Sequence, residues 1–409
     1  MRPTPRSCVQ PRGTSLIGAR ERMMASELTT LLAVLCLATW LYLIGARGMF
    51  WLGSVRDADA AAAPASWPPV AVVIPARNEA ECIGESIRSV LGQDYAGPLN
   101  VILVDDDSSD GTADIARRAA ANSDRPLNIV ASGPLPAGWT GKLWALRRGV
   151  EAAGRLTGAP AYLLLTDADI AHAPDTVSWL VAKAEGKQRV LVSLMAKLRC
   201  ESLAERAHVP AFIYFFQMLY PFAWVNRPAA ATAAAAGGCV LVRADALRAA
   251  GGIESIRDAL IDDCALARRL KTQGTIWLGL TERARSIRPY PRWADIRRMV
   301  TRSAYAQLRY SPLLLVGTTA GMALTFLVAP LLAVFAGGLP QLLGLATWIL
   351  MAVSFQPTLR LYALSPLWGV ALPAIALLYM LYTVESAIQY LSGGGGAWKG
   401  RVQANVSAR

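Results

Sequence analysis

Asn100-Val-Ile-Leu-Val-Asp-Asp-Asp-Ser-Ser-Asp-Gly-Thr112 is an apolar run that ends in a knot of acids and turn formers. Residues 100–104 are continuously aliphatic and rich in β-branched side chains, the pattern of a strand covered on both faces. Helical spacing resumes from Ala113. The same grammar occurs twice more. Val70-Ala-Val-Val-Ile74 runs into Pro75-Ala-Arg-Asn-Glu79, and Ile83, Ile87, Val90 and Leu91 then give residues 80–93 a helical period. Residues 161–165 run into Thr166-Asp-Ala-Asp169. Strands that each close in a polar loop predict an open α/β sheet with its ligand at their carboxyl ends.

The loops hold the chemistry. Asp167 and Asp169 flank one alanine directly after a strand, so both carboxylates are free to face one point. Their oxygens suit Mg²⁺ or Mn²⁺, which take one or two protein carboxylates and complete their shell with substrate phosphates. The alternative is a helix cap with an Asx-turn, since Pro174 and Asp175 follow. Asp105, Asp106 and Asp107 repel one another, so something must compensate; one of them could accept a hydrogen bond from a nucleobase, or the cluster could serve only to cap the next helix. Gly138-Trp-Thr-Gly-Lys142 is not a Walker A loop, because Pro136 and Leu143 replace its glycine and hydroxyl, but Lys142 remains a candidate cation for a diphosphate. Asp262 and Asp263 open a helical stretch, either as favourable charges at a helix start or as a general base.

Composition places this soluble part on a membrane. Of 409 residues 54% are hydrophobic and 17% charged, and 41 Lys+Arg against 29 Asp+Glu leave a net charge of +12. Ordinary soluble domains are less apolar and more charged. Cys8, Cys36, Cys82, Cys200, Cys239 and Cys264 show no CxxC spacing and read as reduced thiols, and His172 and His208 are too few for a histidine zinc site. Residues 28–45 are apolar and uncharged behind a basic stretch, an uncleaved anchor rather than a signal peptide. The Met23-Met24 pair marks residues 1–22 as a candidate over-called start. Further spans are expected over 312–338, 339–355 and 365–383, with Glu385 just past the last and Arg360 in a loop. The charge distribution puts the soluble domain and Arg360 on the cytoplasmic face; Lys399, Arg401 and Arg409 then fall outside, against the rule. Residues 209–225 are aromatic and apolar but carry Pro210, Gln217 and Pro221, which favours an interfacial helix over a crossing. The arginine-rich stretch 283–309 suits anionic headgroups, and its place against the membrane disfavours nucleic acid.

Taken in order, these motifs resemble family 2 glycosyltransferases of the GT-A fold. Pro75-Ala-Arg77-Asn-Glu79 resembles the family's first-strand motif, the Asp105 to Thr112 stretch its nucleotide-binding DDxSxDGT, and Asp167-Ala-Asp169 its metal-binding DxD. Gly237-Gly238 and Gly251-Gly252 are similar to the acceptor-side glycines, and Asp262-Asp263 stands where the family has Glu-Asp. The resemblance covers about residues 69–310. The Gly138–Lys142 loop, the PFAWVN and AAAAGGC segments and the membrane spans are similar to the hopene-associated subgroup, related to ceramide glucosyltransferases.

The resemblance implies a GT-A nucleotide-sugar-binding domain with a Rossmann-like mixed sheet, one N-terminal and about three C-terminal transmembrane helices. Composition and the resemblance together divide the chain into an extension over 1–27, an anchor over 28–52, an Ala/Pro linker over 53–68, the catalytic domain over 69–310 with interfacial segment 209–225, spans within 311–392 and a flexible tail over 393–409. The activity implied is inverting transfer from a nucleotide sugar, a UDP-sugar first, to a lipid acceptor, with a hopanoid as candidate, by a multi-pass inner-membrane enzyme with its catalytic domain in the cytoplasm. Asp263 is then the base; Pro75, Arg77, Glu79, Asp105, Asp106, Asp107, Lys142, Asp167 and Arg302 serve the donor; Gly237, Gly238 and Asp262 lie on the acceptor side; Asp169 with Asp167 holds Mg²⁺ or Mn²⁺. The family's QxxRW is broken, because Arg292-Trp293 has Pro289 in the Gln position and Arg302 has Met299 there. Transfer to a polyprenyl phosphate and a non-catalytic nucleotide-sensing scaffold are the alternatives.

Overall fold

The computed structural model describes residues 13–58, 62–393, 397–398 and 401–402. Its centre is an eight-stranded sheet: β1 (Val70–Ala76), β2 (Leu99–Asp105), β3 (Leu127–Ala131), β4 (Tyr162–Thr166), β5 (Ile170–His172), β6 (Leu191–Lys197), β7 (Cys239–Arg243) and β8 (Ile276–Ser286). The spatial order is β3-β2-β1-β4-β7-β6-β8-β5. Pairing is parallel from β3 through β4, while β7 runs antiparallel between β4 and β6, so the sheet is mixed. Every residue of β1 is buried, which is why its sequence is continuously apolar rather than alternating.

Register brings the polar loops together. Ala76 pairs with Asp105, so the loops after β1 and β2 leave the sheet side by side. Thr166 pairs with Cys239, which puts Asp167 beside Gly237 and Gly238. Thr166 Oγ1 donates to the Gly238 carbonyl at 2.7 Å and lies 2.9 Å from His172 Nε2, fixing the strand end. Ile170 pairs with Ser286, and Ile287 N–H donates to the Asp169 carbonyl at 2.9 Å. Thus residue 288 emerges against residue 169.

The helix Gly141–Gly154 lies close on the sheet because Gly149 has no Cβ; one built there would sit 2.3 Å from a Val73 methyl. That approach aims the helix start, with Lys142, at the carboxyl ends of the strands. The expected linker is not wholly free. Leu280 N–H donates to Val55 O and Asp57 N–H to Leu280 O, so residues 55–57 cover the edge of β8 that β5 leaves open; residues 59–61 lie outside the described set.

Four helices are long and apolar enough to cross a membrane: Ser26–Gly45 within Gly13–Gly45, Pro312–Phe335, Gly338–Leu361 and Leu372–Leu391. They differ in detail from the spans expected. Arg360 lies in the last turn of its helix, not in a loop, and Glu385 lies inside the last helix, where Arg297 pairs with it. Charge density at helix ends is a poor guide when a partner from another element neutralises it. Residues 209–225 pack between the sheet and the apolar helices and keep an exposed residue at Leu219. They belong to a helix, Leu203–Leu219, a break at Tyr220-Pro221 and a short turn, Phe222–Val225. Ile213 and Val225 join the core under the sheet, while Ala211 and Tyr214 pack among the membrane helices. An all-round aromatic helix is accommodated by burying both faces. Of the tail, Ala397–Trp398 and Arg401–Val402 pair as two short strands; the remainder of 394–409, like residues 1–12, is outside the described set.

Candidate active site

The loops after β1 and β2 are stitched together by side chains. Asn78, in the left-handed region at φ 51°, donates its N–H to Ser108 Oγ at 3.0 Å and accepts from Ser109 N–H at 2.9 Å. Glu79 N–H donates to Thr112 Oγ1, and Ala80 N–H to Asp110 Oδ2. Asn tolerates a positive φ better than most residues, which explains its place here. The three aspartates have three different surroundings. Asp105 closes the turn by accepting from Ser108 N–H at 3.2 Å. Asp106 is fully buried and accepts from Ser132 Oγ at 2.8 Å. Asp107 points outward with φ 58°. Arg77 lies 3.7 Å from the Asp106 carboxylate and 3.8 Å from that of Asp107, which supplies the compensating charge.

Beside these loops opens a cleft of about 530 Å³. Pro75, Glu79, Lys142, Asp167, Asp169, Asp262 and Arg302 line it, gathered from segments far apart in sequence. Lys142 Nζ lies 2.9 Å from Asp167 Oδ1 and 3.1 Å from Asp262 Oδ2. Burial disfavours the ammonium, but the two carboxylates outweigh it and hold Lys142 above its ordinary pKa. On the other wall Arg288 pairs with Asp169, Nε to Oδ2 at 2.7 Å, and with Glu79. Each acid of the Asp-Ala-Asp pair thus has its own cation.

Asp263 sits behind this wall rather than on it. Its Oδ2 accepts from Gly237 N–H at 2.9 Å and its Oδ1 from Cys264 N–H at 2.7 Å. It borders a small void shared with Lys142, Asp167 and Asp262. Burial and the adjacent Asp262 charge push its carboxyl up to about 6, against the opposing pull of Lys142 and the two amides. A carboxyl with that pKa is mostly ionised at neutral pH and retains lone pairs for a further proton.

The cleft therefore joins Glu79, Lys142, both acids of the pair, Asp262 and Arg302. Arg77 and Asp105 to Asp107 lie on the adjoining loops. Arg292 is exposed, pairs with Asp295 and does not line the cleft; Arg288, Arg298, Arg302 and Tyr290 do. Sequence reasoning did not single out Arg288 among the arginines of its stretch. Its signal was positional, two residues beyond β8, and needed the non-local pairing of β8 with β5. Among the described residues no group of three or more His, Cys, Asp or Glu side chains converges as a metal cage. Two carboxylates at a cleft mouth still match a hard cation that takes its other ligands from substrate and water.

Residues 71–251, the stretch that holds these loops, match the model of Glycosyl transferase family 2. The chain carries a family 2 glycosyltransferase domain. Two curated relatives share part of it. An N-acetylglucosaminyltransferase of Rhizobium leguminosarum bv. viciae is 36% identical over 117 residues, 28% of this chain and 25% of the relative. Another of that name from Mesorhizobium japonicum is 32% identical over 120 residues, 29% of this chain and 26% of the relative. The match spans about a quarter of each relative's length. Among solved structures, the mannosyltransferase PcManGT from Pyrobaculum calidifontis, in complex with GDP-Man and Mn²⁺, is 21% identical with a TM-score of 0.52, covering 89% of this chain and 99% of that one. At that identity the likeness speaks for the fold, and the glycosyltransferase domain here has the GT-A fold with four helices apolar enough to span a membrane.

Proposed function

We propose that the protein is a membrane-bound inverting glycosyltransferase that moves a sugar from a nucleotide sugar, a UDP-sugar first, to a lipid acceptor. One observation carries this reading. One wall of the cleft at the strand ends is a helix that rests on an apolar helix long enough to span a membrane: Arg298 and Met299 line the cleft from the helix Trp293–Thr301, and Arg297 on that helix pairs with Glu385 of Leu372–Leu391. A donor bound at the strands and an acceptor rising from the bilayer can meet there. The orientation that goes with it places the domain on the cytoplasmic side of the inner membrane. A hopanoid acceptor rests on the sequence resemblance alone.

In this mechanism the nucleoside lies along the stitched loops, where Asp106 or Asp107 accepts from the base and Asp105, Arg77 and Pro75 hold the loop in shape. Asp169 with Asp167 would hold Mg²⁺ or Mn²⁺, which when bound neutralises the charge that develops on the departing diphosphate. Lys142 and Arg302 hold phosphate oxygens. The acceptor oxygen forms the new bond to the anomeric carbon from the face opposite the diphosphate, whose bond breaks, and Asp263 takes the hydroxyl proton. Gly237, Gly238 and Asp262 border the acceptor. The arginines near the membrane favour a second reading, in which the acceptor is a polyprenyl phosphate that arrives ionised and needs no base.

The test is direct. Purified protein in lipid nanodiscs, given Mn²⁺ and UDP-N-acetylglucosamine, UDP-glucose or UDP-galactose with extracted membrane lipids, should yield UDP and a lipid heavier by one hexose or N-acetylhexosamine in mass spectrometry. Release of UDP with no glycosylated lipid would remove the lipid-acceptor reading; no turnover of any of these donors would remove the UDP-sugar reading.

A further inference from the structure

Arg288 occupies a position that the proposed reaction does not leave undisturbed. Its guanidinium bridges Asp169 and Glu79 across the cleft, and its backbone is held there because Ile287 N–H donates to the Asp169 carbonyl. Asp169 and Glu79 are largely buried, with side-chain exposures of 17% and 9%, so the bridge is shielded from solvent. Shielded pairs are screened less than surface ones and have to be exchanged rather than merely loosened. A divalent cation on Asp169 competes with the guanidinium from which Oδ2 accepts at 2.7 Å, and the two cations repel each other across one small carboxylate.

A diphosphate changes this balance. It offers the guanidinium a planar, bidentate match of its own, of the kind arginine makes best. It also supplies the cation with oxygen ligands beyond those of the Asp167 and Asp169 pair. Lys142 is held differently. It bridges Asp167 and Asp262, two elements whose separation it sets, and so acts as a fixed part of the wall.

We propose that Arg288 is a diphosphate ligand that surrenders Asp169 to the divalent cation when the nucleotide arrives, so that nucleotide and cation bind in linkage. This rests on the nucleotide-sugar reading of the cleft. It makes the empty site poor at holding metal, and it makes the donor itself the trigger that completes the metal site. Reciprocity then requires the cation to tighten nucleotide by the same factor.

The experiment titrates Mn²⁺ into the full chain in nanodiscs, followed by the electron paramagnetic resonance signal of free Mn²⁺, with and without UDP. In the native chain UDP should tighten Mn²⁺ about tenfold or more, within the usual range of such couplings. Arg288→Gln should bind Mn²⁺ about fivefold or more tighter than the native chain without UDP, and should show only a small further gain with UDP. Arg302→Gln, which removes a cleft arginine not paired with Asp169, should leave Mn²⁺ binding without UDP within about twofold of native. Calorimetry of UDP with saturating Mn²⁺ separates the two layers. If UDP does not bind at all, the nucleotide reading fails. If UDP binds but Arg288→Gln leaves Mn²⁺ affinity without UDP unchanged, or Arg302→Gln raises it equally, the exchange role of Arg288 is overturned while the nucleotide reading stands. Circular dichroism melts of each variant confirm that the compared proteins are folded.

Discussion

Lys142 and Asp262 each stand at the start of a helix, and their side chains meet at 3.1 Å while the same ammonium holds Asp167 at 2.9 Å. One cation therefore fixes the spacing between the strand-end acid pair and the acceptor-side helix. Lys142→Met keeps most of the stem and removes the charge. The side chains involved are 20–34% exposed, so the loss should fall below the roughly 3–5 kcal/mol of breaking a fully buried pair, at about 1–3 kcal/mol. Donor KM should rise by about tenfold or more with the lost phosphate contact. A thermal melt and a donor titration check the two parts; an unchanged KM would remove Lys142 from the donor site.

Asp169→Asn keeps the shape of the side chain and halves the negative charge of the acid pair. Mn²⁺-dependent UDP binding should weaken about tenfold or more in calorimetry, whereas binding in chelator should change little. Equal affinity for native and variant chains with metal present would take the cation away from this residue.

Gly149→Ala tests the fold beneath the site. The added methyl would lie 2.3 Å from a Val73 methyl and 3.0 Å from one of Val104, inside the sheet–helix contact. Overpacking of this kind costs about 1–3 kcal/mol and should lower the melting temperature. Because the helix carries Lys142, donor affinity should fall with it. A neutral melt would show that the helix can lift from the sheet without strain.

Topology can be read at Leu203 and Leu219, which are exposed at the two ends of the helix Leu203–Leu219. Tyr214 on the same helix is fully buried and would report only on packing. With the helix on the cytoplasmic side, Leu203→Cys and Leu219→Cys should resist a membrane-impermeant maleimide in intact cells and react after permeabilisation. Labelling of either from outside would show that its end faces the exterior.

The local parts of this architecture were legible in the chain. β1, β2 and β4 follow from continuous apolar runs, and the helix at Asp262–Lys271 from its acidic start, because neighbouring residues alone decide such elements. What was not legible depends on pairing between distant segments. Nothing near Arg288 says that β8 lies against β5, yet that pairing alone brings its guanidinium to Asp169. Likewise Glu385 looks like a charge past a span until Arg297 arrives from another helix to neutralise it. The Asp263 side chain is a third case. Sequence places it beside Asp262, but only the fold turns one acid to the cleft and the other toward the Gly237 and Cys264 amides.

That division between neighbouring acids yields the sharpest test. Asp263 has a carboxyl pushed up to about 6, chiefly by burial, and acts as a base only when ionised. Its ionised fraction falls as pH drops through that value, so kcat/KM should decline below about 6 and level off above it. Asp263→Asn retains the size of the side chain and removes the proton acceptor. Turnover should fall about 10²–10⁴-fold and the acidic limb should vanish, while UDP and Mn²⁺ binding persist. Asp262→Asn should cost less and keep the limb, since its carboxylate pairs with Lys142 rather than taking a proton. Under a purely structural role for both acids, the two variants would lose activity in step with their melting temperatures, and the pH profile would not change shape. Near-native transfer by Asp263→Asn would remove the base and favour an acceptor that arrives already ionised, as a polyprenyl phosphate does.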